Sequence, residues 1–92
     1  MSESAEESFT IINRLGLHAR AAAKLVRLAG EHAGKVELEK DGQRVDAKSI
    51  MGVLLLVGSQ GSQVSVCAHG PGAALIVTRI GELIADRFGE SE

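Results

Sequence analysis

Helical and strand-like patterns alternate along this chain, and their order limits the folds that it can adopt. Residues 19–33 and 73–88 repeat apolar side chains every three or four positions, which predicts helices, and residues 50–57 are apolar on all sides. An amphipathic helix buries its apolar side against another layer of the protein. The order strand, helix, strand, strand, helix, strand, helix therefore predicts an α+β fold, in which a sheet of four strands carries the helices on one face.

Each predicted strand alternates apolar with polar residues, so that one face of the strand is buried. In residues 7–12, Phe9 and Ile11 alternate with polar neighbours. Asp41 and Gly42 accept the positive φ angles of a tight turn, which predicts a hairpin between the second and third strands. The remaining predicted strands cover residues 35–39, 43–46 and 63–68.

The segment Ile50–Val57 is the least ordinary part of this pattern. Ser49 is a good N-cap for a helix there, and the interior Gly52 favours a helix over a buried strand. In one interpretation, the helix buries only one side, and Met51 and Leu55 are exposed as part of a docking surface. In the other, the helix is buried on all sides. The pattern alone leaves both interpretations open.

The 92 residues suffice for one domain with a small core. We expect residues 1–6 to form a disordered acidic tail, residues 7–89 to form the domain, and residues 90–92 to fray. Only Phe9 and Phe88 are aromatic, so aliphatic side chains have to fill the core.

Charge and composition argue against several classes of function. The formal net charge is −2 and Tyr and Trp are absent, which is a poor match to a nucleic-acid-binding domain; a binding titration at low salt tests that alternative. The single cysteine, Cys67, suits a reducing compartment. Residues 2–7 are unlike a signal peptide, and no apolar run reaches the ~20 residues of a membrane span. We therefore expect a soluble cytoplasmic protein without membrane insertion.

The most informative chemistry lies at the start of the first helix. Gly16 permits a turn, and His18 falls at or just before the first helical residue, where free backbone N–H groups and the helix dipole favour an anion. Arg20 adds a guanidinium suited to phosphate, and Lys24 and Arg27 continue the basic stripe. An ordinary solvated face and an incidental histidine are the alternative interpretation. Our hypothesis is that His18 carries a phosphoryl group.

The other reactive side chains suggest no second site. His32 and His69 are expected at the surface, and Cys67 is expected to pack within a strand. Cys and acidic residues do not follow the histidines at metal-ligand spacing, so neither a metal site nor a cofactor is expected.

Two motifs resemble those of a known family. Gly16-Leu17-His18-Ala19-Arg20 resembles the active-site signature of the HPr family, the histidine phosphocarriers of the phosphoenolpyruvate-dependent phosphotransferase system. Lys48-Ser49-Ile50-Met51-Gly52 resembles the second signature of that family, which contains a regulatory serine. The resemblance extends from Glu7 to Phe88. It implies an open-faced β-sandwich, an antiparallel four-stranded sheet covered by three helices.

The resemblance also implies roles for individual residues. His18 would take a phosphoryl group on Nδ1 from phosphorylated enzyme I and pass it to an EIIA-type acceptor, as a stoichiometric carrier and not an enzyme. Arg20 would stabilise that group, and an HPr kinase would phosphorylate Ser49 in some bacteria. Partner docking would involve Ala19, Lys24, Arg27, Ile50, Met51, Leu54 and Leu55. A monomer is expected, because a carrier offers one face to successive partners.

One position departs from the family pattern. The family usually has proline directly after the active-site arginine, and Ala21 stands there in this chain. Alanine is a strong helix former, so we expect the helix to persist, while the rate of phosphotransfer and the choice of partner are open. A regulatory module that binds partners without phosphotransfer remains the alternative function, and His18→Ala would leave its effect intact.

Overall fold

The computed structural model describes residues 3–92, which form four strands and three α-helices in the expected order. The strands are β1 Ser4–Thr10, β2 Val36–Lys40, β3 Gln43–Asp46 and β4 Gln63–His69. The helices are α1 Ala19–Ala29, α2 Ile50–Leu55 and α3 Ala73–Ala85, followed by a single 3₁₀ turn, Arg87–Gly89.

The four strands form one antiparallel sheet in the order β1-β4-β2-β3. Apolar residues of neighbouring strands stand opposite each other, as Phe9 does to Val64 and Leu38 to Val66. This apolar face packs against the helices, while the other face carries the polar residues of the alternation. The α+β open-faced sandwich is therefore confirmed.

The core is built almost entirely from aliphatic side chains, as the composition predicts. Leu25 of α1, Ile80 and Ile84 of α3 and Leu38 of β2 are all at most 1% exposed. The exception is Phe88, the largest fully buried side chain, which enters the core from the turn after α3.

The first strand begins earlier than the sequence predicts. Residues 1–6 were expected to be a disordered tail, yet Ser4 pairs with His69 and Glu6 pairs with Cys67 across β1 and β4. The pairing satisfies backbone groups whatever the side chains are, so an acidic composition did not prevent a strand at this edge of the sheet. Met1 and Ser2 lie outside the described residues.

The turns and helix ends agree with the sequence more closely in some places than in others. Asp41 and Gly42 have φ angles of 52° and 80°, so the hairpin prediction is confirmed. For α1, the sequence predicts an end at Gly34, with an earlier end at Gly30 as the alternative. The helix ends at Ala29 with Gly30 as its C-cap, so the extension to residue 33 is wrong and the earlier end is confirmed. Within residues 3–92, no helix combines the length and apolar character needed to cross a membrane.

Candidate functional site

His18 is the N-cap of α1, as the sequence predicts. Its backbone is extended, with φ −70° and ψ 176°, and its carbonyl oxygen accepts the first hydrogen bond of the helix from Ala22 N–H at 2.8 Å. The N–H groups of Ala19, Arg20 and Ala21 precede that first bond, and Arg20 N–H points at His18 Nδ1 across 3.3 Å. The helix forms with Ala21 in place, so the expectation that it persists is confirmed.

The turn before His18 depends on close backbone packing. Gly16 has a φ angle of +63°, and a Cβ atom on it would lie 2.2 Å from the carbonyl oxygen of Gly58. Leu17 N–H donates to that same oxygen at 2.8 Å. Only glycine fits this position, and the contact fixes the start of α1 against the loop after α2.

Glu90 completes the surroundings of His18, which the sequence did not indicate. One carboxylate oxygen of Glu90 accepts from Asn13 Nδ2 at 2.9 Å, and the other contacts His18 Nε2. The Asn13 amide first, and then His18, hold the pKa of the Glu90 carboxyl below its usual value. An ionised carboxylate only accepts hydrogen bonds, so Nε2 carries the ring proton, and Nδ1 is the unprotonated nitrogen that accepts from Arg20 N–H.

Residues 90–92, which were expected to fray, are held in place at several points. Buried Phe88 anchors the chain just before it, and Lys24 Nζ donates to the Phe88 carbonyl oxygen at 2.5 Å. Arg14 pairs with the Glu92 carboxylate at 2.7 Å, and Arg14 N–H donates to the Glu92 carbonyl oxygen at 3.0 Å. These contacts place residues 90–92 beside the start of α1, an arrangement that their polar composition does not indicate.

His18 stands in the wall of an open cleft of about 590 Å³. Its lining brings three cationic side chains and two carboxylates together: Arg14, Arg20, Lys24, Glu90 and Glu92. The Arg20 side chain is exposed, as a group that meets phosphate at the surface must be. Lys24 is bound to a backbone carbonyl and Arg27 is exposed, so the predicted basic stripe is only partly free.

A shallow groove of about 230 Å³ runs from His18 to helix α2 and is lined by Leu15, Leu17, Leu54, Val57, Gly58 and Ser59. Beside it, Met51 is 66% and Leu55 62% exposed, so α2 does not bury all of its apolar surface. Leu15 and Val57 are also exposed, and the sequence analysis missed both as surface residues. Val57 has a φ angle of +50°, which is strained for a β-branched residue.

Ser49 is the N-cap of α2, where the sequence places it. Its Oγ accepts from Gly52 N–H at 3.1 Å, and its carbonyl oxygen accepts from Val53 N–H at 3.0 Å. The side chain is half-buried, so the hydroxyl lies at the edge of the surface that also exposes Met51 and Leu55.

The other two histidines differ in their surroundings. His32 is only 8% exposed, and its Nε2 donates to the carbonyl oxygen of His69 at 2.7 Å, so its predicted surface position is wrong. The close approach of Gly34 to that carbonyl encloses the ring, which no local pattern reveals. His69 lies on the polar face of the sheet beside Cys67.

An α+β domain that places a helix-capping histidine in an open cleft, next to cationic side chains, has the form of a phosphocarrier and not of an enzyme. Residues 5–86 match the family described as PTS HPr component phosphorylation site. The chain belongs to the HPr family of the phosphotransferase system, and the alternative of a module without phosphotransfer is not favoured.

Individual relatives agree over nearly the full chain. Phosphocarrier protein HPr of Cupriavidus necator is 51% identical over 83 residues, covering 90% of this chain and 93% of that protein. The HPr of Xylella fastidiosa is 42% identical over 85 residues, covering 92% and 96%. The crystal structure of HPr-C-His from Thermoanaerobacter tengcongensis has a TM-score of 0.92 at 39% identity, covering 96% of this chain and 99% of that one.

Proposed function

We propose that His18 is the residue that carries the phosphoryl group, on Nδ1, between phosphorylated enzyme I and an EIIA-type acceptor. The observation that carries this proposal is the two-sided contact of the imidazole ring. Glu90 holds Nε2, while Nδ1 accepts from the Arg20 N–H at the start of α1. The ring is thereby fixed in the tautomer whose Nδ1 lone pair is the nucleophile.

The transfer step follows from this geometry. The Nδ1 lone pair attacks phosphorus in line, and the bond between phosphorus and the donor atom breaks, its electron pair leaving with the donor. The ring becomes cationic while Nε2 keeps its proton, and the Glu90 carboxylate stabilises that charge. The backbone N–H groups of Ala19, Arg20 and Ala21 and the Arg20 guanidinium would then stabilise the phosphoryl oxygens, and Arg20 N–H would exchange Nδ1 for one of these oxygens. Transfer to the acceptor reverses these events.

The docking surface in this proposal lies beside the ring. Ile50, Met51 and Leu55 are at least 40% exposed, and Leu54 lines the groove that leads to His18. Exposed apolar side chains next to a reactive group suit a partner that must bring its own reactive group close. Ala19 and Arg27, both exposed on α1, would form the rest of this surface, together with the partly buried Lys24.

Ser49 is proposed as a regulatory site for an HPr kinase. Phosphorylation would add about −1.5 to −2 charges at the rim of the docking surface and would repel an acidic partner. Mass spectrometry after incubation with the cognate kinase and ATP tests this proposal. An unmodified Ser49 would count against it. We further propose that the protein works in the cytoplasm as a monomer.

The decisive experiment is phosphorylation of the purified protein by enzyme I and phosphoenolpyruvate, alongside His18→Ala. We expect a mass gain of one phosphoryl group that is labile in acid, stable in base and absent from the variant. His69→Ala is the matched control and should be labelled like the parent protein. Labelling that survives in His18→Ala, or no labelling by an enzyme I that phosphorylates a relative, would overturn the assignment.

A further inference from the structure

The polar face of the sheet carries a group of potential metal ligands. Within residues 3–92, Glu37, Cys67 and His69 are the one set of three such side chains whose ligand atoms all lie within 4.8 Å of one another. The helices and the docking surface cover the opposite, apolar face, so this group is separate from the His18 site.

The register of the sheet brings these residues together. Cys67 and His69 are two positions apart on β4 and so project from the same face. Glu37 on β2 stands directly opposite Cys67, and Glu6 on β1 stands opposite it from the other side. The apolar residues between them lock this register, because a slip of one position would expose the core.

The separation of the donor atoms suits a single cation. Cys67 Sγ and His69 Nε2 are 3.7 Å apart. In a tetrahedral zinc site, a thiolate sulfur about 2.3 Å and an imidazole nitrogen about 2.0 Å from the metal lie about 3.5 Å from each other. The two donors are thus already near the spacing that they would have as ligands of one ion.

We propose that Glu37, Cys67 and His69 form a binding site for a zinc-like divalent cation, with water as the fourth ligand. Sulfur, imidazole nitrogen and carboxylate oxygen are the donor types that Zn²⁺ takes in proteins. The cation replaces the proton of the Cys67 thiol, so one proton is released for each ion bound. Glu6 adds a second carboxylate beside the sulfur without having to ligate the ion.

Neighbouring charges set the strength of this site. Lys35 Nζ lies 3.6 Å and Arg44 Nη1 3.4 Å from the two oxygens of Glu37, and a metal ion has to compete with both. Arg44 is held more closely by Glu39, at 2.5 Å, and Asp46 stands opposite Glu37 on β3. Because of this competition, we expect weaker binding than in a structural zinc site with four protein ligands.

Titration of the reduced protein with Co²⁺, followed by displacement with Zn²⁺, tests the proposal. We expect a near-ultraviolet charge-transfer band from a Co²⁺–thiolate bond that saturates at one equivalent and disappears when Zn²⁺ is added. Cys67→Ser should abolish the band, and His69→Ala and Glu37→Gln should each weaken binding by at least about tenfold.

Two control variants locate the bound ion. Glu82→Gln lies on the exposed side of α3, away from the polar face of the sheet, and should bind Co²⁺ like the parent protein. His18→Ala should also bind normally, which shows that the ion is not at the candidate phosphorylation site. All variants are compared by nuclear magnetic resonance spectra that report folding. Absence of the thiolate band at tenfold excess of Co²⁺, or equal binding by folded His69→Ala, would overturn the proposal.

Discussion

The carboxylate of Glu90 contacts Nε2 of His18, a residue 72 positions earlier in the chain. The contact is possible because Phe88 is buried in the core and Gly89, at a φ angle of +79°, turns the chain back across the start of α1. A carboxylate placed behind an imidazole fixes its tautomer and stabilises the cation that forms when the other nitrogen reacts. Glu90 is therefore a positioning residue for the proposed phosphoryl transfer.

Replacing Glu90 with glutamine should slow the uptake of the phosphoryl group. The amide keeps the shape of the side chain but loses the charge that stabilises the ring, so we expect about a tenfold lower single-turnover rate. Glu92→Gln is the matched control, because Glu92 pairs with exposed Arg14 and not with the ring. Quenched-flow labelling measures both variants. Equal rates in parent and Glu90→Gln would show that the contact has no part in transfer.

The Glu90 contact should also make stability depend on pH in the acid range. Its folded pKa is lowered, by the Asn13 amide first and His18 second. The stabilisation is therefore complete above the pKa of glutamate in the unfolded chain, about 4.3. It is lost as the pH falls through the lower pKa that Glu90 has in the folded protein. Carboxyl ¹³C chemical shifts, followed from pH 7 downward, should give Glu90 a lower pKa than the exposed glutamates. Glu90→Gln should lose less stability than the parent protein over the same range.

Relief of the strain at Val57 should stabilise the domain while weakening docking. A β-branched residue at a φ angle of +50° costs about 1–2 kcal/mol, and glycine removes most of that cost at the expense of about 0.5–1 kcal/mol of chain entropy. We expect Val57→Gly to gain about 0.5 kcal/mol in urea denaturation. Partner affinity should fall, because the exposed side chain lines the groove beside His18.

Val57→Ala separates these two effects. It removes the apolar side chain but keeps a residue that is unfavourable at positive φ, so affinity should fall without a comparable gain in stability. A gain as large as that of Val57→Gly would contradict the assignment of strain to this position.

Truncation of Phe88 should affect both the core and the His18 site. The side chain is fully buried, so we expect Phe88→Ala to cost about 3–5 kcal/mol of unfolding free energy. Phe88→Leu should cost about 1 kcal/mol, which is more than the control and less than Phe88→Ala, and should keep the domain folded. Exposed Arg87→Ala is the control and should change stability by less than about 0.5 kcal/mol. Urea denaturation measures all three, and a loss in Phe88→Leu no greater than in Arg87→Ala would contradict an anchoring role.

The sequence could predict what depends on neighbours along the chain. Alternation and helical spacing predict the element order, Asp41-Gly42 predicts its turn, and Ser49 predicts the cap of α2. His18 and Arg20 belong to one helix start, so a local motif was sufficient to place them together. These features need only the local backbone preferences and side-chain patterns that a short segment contains.

Contacts between distant segments could not be predicted in this way. Polar residues 90–92 look disordered by composition, yet a core phenylalanine two positions before Glu90 holds them against the first helix. Likewise, Glu37 and Cys67 are 30 positions apart in the sequence and directly opposite in the sheet. The spacing of residues along the chain predicted no metal site. Sequence spacing carries no information about the register between strands, which brings Glu37 and Cys67 together.

The layers of this protein and the histidine at the start of α1 follow from the amino-acid sequence, because periodicity and capping are properties of short segments. Which distant groups meet that histidine, and which meet Cys67, depends on tertiary packing. Burial of Phe88 and the strand register, which the apolar face enforces, bring these groups within contact distance. Such contacts depend on how the whole core packs, and no segment of the chain specifies them alone.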